Sequence, residues 1–98
     1  MMNITAWRQF KNDDKSVVCR IQVSYKDGRK MKTISNLLSE WKVCGEGFSS
    51  RDKESILLYE RGFKSDTLWK SFLRKFPYKI TEKTPTDKTR IYNAKKVI

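Results

Sequence analysis

The sequence predicts a small single-domain α+β protein, with an N-terminal antiparallel β-hairpin or three-stranded sheet packed by two to three helices. Three observations carry that expectation. Residues 17–25 (VVCRIQVSY) alternate apolar and polar side chains with the period of two that a half-buried strand requires. Residues 65–77 (SDTLWKSFLRKFP) place large apolar side chains three and four apart, between a capping Ser-Asp pair and a proline stop. A length of 98 residues is enough for one buried core and too short for two.

Taken in order, ITAWRQF at residues 4–10 reads as a short strand, and KNDDK as the polar turn that follows it. In the next strand Cys19, Ile21, Val23 and Tyr25 point one way, and Arg20, Gln22 and Ser24 the other. The stretch SYKDGRKMKT then reads as a second hairpin. A three-residue loop Lys26-Asp27-Gly28 pairs Tyr25 with Arg29, Val23 with Met31 and Ile21 with Thr33. One face then holds Ile21, Val23, Tyr25 and Met31, and the other Arg20, Gln22, Ser24, Lys30 and Lys32. A two-residue loop mixes the faces, so binary patterning favours the longer one.

Beyond the hairpin, Ile34, Leu37, Leu38, Trp41 and Cys44 follow helical spacing, with Ser35 or Asn36 as cap and Gly45 as stop. The glycines of CGEGF separate this helix from a second one, capped by Ser49 or Ser50 and running through Arg61. Its core ILLY (56–59) also fits a buried strand. In the third helix Leu68, Trp69, Phe72, Leu73 and Phe76 form one apolar stripe, while Lys70, Arg74 and Lys75 lie off it. TEKTPTDKTR reads as a loop or linker, and YKIT and RIY as weak strand segments. The chain therefore divides into a compact domain, 1–78, and a basic C-terminal extension, 79–98.

Charge is the strongest functional signal. The chain holds 22 Lys and Arg against 11 Asp and Glu, a net charge of +11 that draws it to phosphate polymers and acidic surfaces. Both ends are basic, whereas residues 36–64 carry five bases and five acids and are neutral. With no His, Ser-His and Cys-His nucleophile activation cannot be assembled. Cys19 and Cys44 lack CxxC spacing, and the sequence predicts two buried reduced thiols rather than a zinc site or a disulfide. The carboxylate pairs Asp13/Asp14 and Asp52/Glu54 are accounted for by a turn and by the acidic first turn of a helix. These features predict a non-enzyme with no metal, no cofactor and no small-molecule substrate. No apolar run approaches the ~20 residues of a membrane span, and the start lacks an apolar leader core, which predicts a cytoplasmic protein without a membrane partner.

Two functions fit. The first is nucleic-acid binding, DNA ahead of RNA, through phosphate contacts from the hairpin residues Arg20, Gln22, Lys26, Arg29, Lys30 and Lys32. Lys79, Lys83, Lys88, Arg90, Lys95 and Lys96 would add a C-terminal basic arm. Arg and Gln also suit base edges, although Lys on a strand edge equally serves to discourage aggregation. The second function follows a likeness of size and composition. The chain is similar in these respects to phage-type accessory proteins that bind and modulate or inhibit a host DNA-processing enzyme, such as a recombination nuclease or polymerase. Phe48, Tyr59 and Phe63 in the neutral middle would then form the partner-binding surface.

Overall fold

Val17, Cys19, Ile21 and Val23 point to one side of their strand and are fully buried, while the residues between them are half-buried. A strand with such a pattern belongs in the interior of a sheet. The computed structural model describes residues 2–83, and among these the elements run β1 (Met2–Lys11), β2 (Val17–Tyr25), a 3-10 turn (Gly28–Lys30), α1 (Met31–Leu37), β3 (Lys42–Ser49), β4 (Glu54–Phe63), α2 (Asp66–Lys75) and β5 (Thr81–Lys83). The described strands form one five-stranded mixed sheet in the order β3-β4-β2-β1-β5. All neighbours are antiparallel except β5, which runs parallel to β1 by pairing Thr5–Trp7 with Thr81–Lys83. Sheet pairing thus continues past residue 78.

The first turn folds as its residues require. Asn12 N–H donates to the Ser16 carbonyl (2.8 Å), and the Asp14 carboxylate accepts from both the N–H and the hydroxyl of Ser16, at 3.0 and 2.6 Å. The second hairpin, expected across SYKDGRKMKT, is not formed. β2 already has a partner on each side, since Tyr25 lies opposite Met2 of β1 and Ser55 of β4. Instead Asp27 accepts the Arg29 N–H at 2.9 Å and caps a 3-10 turn that leads into α1. Met31, Ile34 and Leu38 then point to the core at helical spacing.

The expected helix from Ile34 to Cys44 ends early. Trp41 N–H closes a turn on the Leu38 carbonyl (2.9 Å), and the chain enters β3 at Lys42. Cys44 is consequently exposed, against the expectation of two buried thiols, while Cys19 is buried, and both are free. The second expected helix is the strand β4. It pairs with β2 on one side and β3 on the other. β4 carries apolar residues on both faces: Leu57 and Tyr59 share the helix-covered side with Ile21 and Val23, and Ile56 and Leu58 lie on the other, where Leu58 meets Trp7. Ser49, expected to cap that helix, accepts the Asp52 N–H at 3.2 Å and closes the β3–β4 turn.

α2 matches its sequence reading. Ser65 Oγ accepts the Leu68 N–H at 3.3 Å, Asp66 occupies the first turn, Arg74 and Lys75 the last, and Pro77 follows the C-cap. Arg8 of β1 donates to both oxygens of Asp66, at 2.9 and 2.7 Å, and ties the sheet to the helix N-terminus. Leu68 departs from the stripe and is 48% exposed, whereas Trp69 is 1% exposed. The main core joins Ile4, Ala6 and the inward residues of β2 to Ile34, Leu38, Trp41, Tyr59, Phe63 and Trp69. Its aromatic part is tight, with Trp41 5.8 Å from Phe63, 6.1 Å from Trp69 and 5.3 Å from Phe72. On the opposite sheet face Trp7 and Leu58 form a second, smaller buried cluster. Among the described residues no helix is long and apolar enough to cross a membrane.

Candidate nucleic-acid interface

Register decides which loops meet. Tyr25 at the end of β2 lies opposite Met2 and Ser55, and Ser49 opposite Glu54, so the start of β1, the β2–α1 connection and the β3–β4 turn share one end of the sheet. The connection brings Lys26, Arg29 and Lys30, and the turn brings Arg51 and Lys53. Between them lies an open cleft of about 550 Å³ lined by Asn3, Lys26, Arg51, Asp52, Lys53 and Glu54. A smaller hollow of about 250 Å³ beside it is lined by Met2, Asp27, Arg29 and Lys30.

The five cations are exposed, and their nearby acids are partly engaged. Asp27 caps the 3-10 turn and meets the Arg29 side chain at 3.1 Å. The Asp52 carboxylate accepts from the Ser49 hydroxyl at 3.4 Å. Lys26, Lys30, Arg51 and Lys53 pair with no described acid. Lys53 holds its backbone in the left-handed region (φ 59°), which turns the chain sharply into β4. The cleft thus gathers three exposed cations, Lys26, Arg51 and Lys53, with the acids Asp52 and Glu54, and the neighbouring hollow adds Arg29 and Lys30 with Asp27. Such a surface suits a polyanion whose charges repeat along a chain, because each contact releases condensed counterions.

Other residues expected at one basic face are dispersed. Arg20 lies mid-sheet on β2, its side chain only 16% exposed, and its Nε donates to Glu60 at 2.9 Å. Its charge is therefore already compensated. Gln22 is half-buried on the same face, between Thr5 and Leu58. Lys32 is exposed on α1, Lys79 is exposed before β5, and Lys83 is exposed on β5 opposite Trp7. Lys88, Arg90, Lys95 and Lys96 lie outside the described residues. Of the three expected partner-binding aromatics, Tyr59 and Phe63 are buried in the main core, and Phe48 alone is open, at 60% exposure on β3.

Arg51 and Lys53 were not singled out by sequence reasoning. Their signal was the Ser-x-x-Asp of SSRDKE, which reads as a helix start and consigns the neighbouring cations to a solvent-facing helical turn. The thiols are poor nucleophiles. Burial first, and the Asp66 carboxylate second, push Cys19 up to about 12, and burial also raises Cys44 above its ordinary value. Among the described residues no group of three or more Cys, Asp or Glu side chains is placed to hold a metal ion. Comparison with protein-family models, curated proteins and solved structures gives no match, so no relative lends the chain a fold family or an activity.

Proposed function

We propose that this protein is a non-catalytic nucleic-acid-binding protein that grips phosphates with the strand-end cluster Lys26, Arg29, Lys30, Arg51 and Lys53. The observation that supports the reading is that two chain-distant connections bring cations to one open polar cleft, Lys26 from the first and Arg51 and Lys53 from the second, with Arg29 and Lys30 in the hollow beside it. A net charge of +11 adds a long-range field that steers a polyanion toward the body. Lysines act here as mobile point charges and the arginines as forked donors to phosphate oxygens. Asn3, at the mouth of the cleft, adds an uncharged amide for a phosphate or sugar oxygen. Lys79 and Lys83 supply further contacts from the segment leading into the opposite sheet edge, with the cations past residue 83 as an arm. A cytoplasmic location goes with this reading, and DNA is the first polymer to test, ahead of RNA.

The test is a fluorescence anisotropy titration against labelled duplex DNA, single-stranded DNA and RNA across salt concentrations. Each phosphate contact contributes about 0.9 to the log-log salt slope on a duplex, so four uncommitted cations predict a slope steeper by about 3 to 4 than in the variant lacking them. The quadruple variant K26A/K30A/R51A/K53A should lose that part of the slope, and R20M should keep it. An unchanged slope in the quadruple variant refutes the assignment.

A further inference from the structure

Among the described residues only one face of the sheet has a cover. Ile34, Leu38 and Trp69 belong to the main core, and Phe76, Tyr78 and Ile80 pack against it, so α1, α2 and residues 76–80 lie on the side of Cys19, Ile21 and Val23. Strand pairing puts Trp7, Arg20, Gln22, Ile56, Leu58 and Glu60 on the other side.

Side chains on a sheet stand roughly perpendicular to it, so flanking residues shield their sides and leave their tops in water. The tops here are dry. Trp7 is 3% exposed, Leu58 1% and Ile56 5%, and the Arg20 side chain, paired with Glu60, is 16% exposed. Neighbours on the sheet do not account for this burial. Leu58 stands between Gln22 and Gly45, and Ile56 between Ser24 and Gly47, so on the β3 side neither has a side chain beside it. Trp7 stands between Arg20 and Lys83. A layer therefore lies over these residues, and because the burial is that of a single chain, the layer comes from the same chain.

Reach and composition select the segment. β5 ends at Lys83, directly opposite Trp7, so residue 84 starts beside the indole. Met1, by contrast, adjoins Met2 at the opposite end of β1, across from Tyr25. The five strands span about 19 Å from β5 to β3, whereas residues 84–98 reach up to about 50 Å when extended, enough to cross the sheet and return. They carry Ile91, Tyr92, Val97 and Ile98. Their charges, Asp87, Lys88, Arg90, Lys95 and Lys96, would meet a face whose central ions already neutralise each other, and long basic side chains can extend past an apolar contact to water. We propose that residues 84–98 lie across the helix-free face and bury Trp7, Ile56 and Leu58 beneath Ile91, Tyr92, Val97 and Ile98. Gly45 and Gly47 let a crossing backbone approach closely. The basic arm is then fastened to the body and carries its cations over the sheet, a placement independent of the strand-end cleft.

NMR of the full chain, labelled with carbon-13 at its Ile, Leu and Val methyl groups, tests the placement. Nuclear Overhauser contacts should join the Trp7 ring or the Leu58 methyls to methyls of Ile91, Val97 or Ile98, and should persist on dilution. Absence of all such contacts overturns the proposal. Contacts found only between labelled and unlabelled copies in a mixed sample give the face to a second copy and overturn it too. In a W41F/W69F background, where Trp7 is the sole indole, I91S/V97S/I98S should raise acrylamide quenching of Trp7 severalfold while the far-UV circular dichroism keeps its form. Unchanged quenching refutes the cover. Should the two aromatic replacements unfold the chain, the contacts in the wild-type protein decide alone.

Discussion

Replacing Trp69 by alanine removes the central ring of the aromatic core, whereas replacing its neighbour Leu68 removes a side chain that is 48% exposed. Trp69 is 1% exposed and lies within 6.2 Å, centroid to centroid, of Trp41, Phe63 and Phe72. A Trp-to-Ala change at such a site costs about 3–5 kcal/mol, as lost transfer energy plus the cavity left behind. Domains of this size hold only about 5–15 kcal/mol in all. With a urea dependence of about 1–3 kcal/mol per molar, W69A should shift the unfolding midpoint down by roughly 2 M, or leave the chain unfolded if the parent is at the low end. L68A should cost below about 1 kcal/mol, because burial is already half absent. Urea melts followed by far-UV circular dichroism measure both. Equal losses in the two variants would mean that the helix is rotated from the orientation described and that the full apolar stripe faces the core.

Three further outcomes follow from the same geometry. D66N breaks the pair with Arg8 at 2.7 Å and removes an acid from the first turn of α2; the side chains are 42% and 33% exposed, so the loss in urea melts should be about 1 kcal/mol and should shrink in high salt. The thiols should respond to pH in opposite states of the chain: native protein should alkylate at Cys44 alone, while unfolding exposes Cys19. Because the Cys19 pKa is raised to about 12 from an ordinary 9, the unfolded chain loses that proton first, so its stabilising contribution is intact below pH 9 and is lost between pH 9 and 12, by at most about 1.4 kcal/mol per unit. K53G relieves a left-handed backbone at φ 59° and should raise stability by up to about 1 kcal/mol while lowering DNA affinity, a split that melts and anisotropy resolve together.

What the sequence reveals and what it hides both have physical causes. β2, the KNDDK turn and α2 are written in local signals: alternation, an Asp that binds its own turn, a Ser cap and a Pro stop. The segment after Tyr25 obeys two periods at once. Met31 serves as a strand residue with Arg29 and Thr33, and as a helix residue with Ile34 and Leu38, and what selects the helix is that β4 already occupies the edge the hairpin needs. ILLY is apolar at every position because its strand is buried on both faces, a pattern a short window cannot tell from a helix. The proposed phosphate-binding surface divides the same way. Lys26, Arg29 and Lys30 stand out by charge alone, but their neighbours Arg51 and Lys53 join them only through the pairing of β2 with β4. Arg20 looks free in sequence because its partner Glu60 is forty residues away.

The placement of the three tryptophans gives the molecule a built-in optical readout. Trp41 and Trp69 sit 6.1 Å apart among the rings beneath the helices, while Trp7 lies alone with Leu58 on the other face and donates its indole N–H to Gln9 at 3.0 Å. Red-shifted emission from the pair therefore reports loosening of the helix layer, and emission from Trp7 in a W41F/W69F background reports the sheet by itself. If the layers part company during denaturation, the two signals will separate in denaturant concentration before any backbone probe shows a second transition.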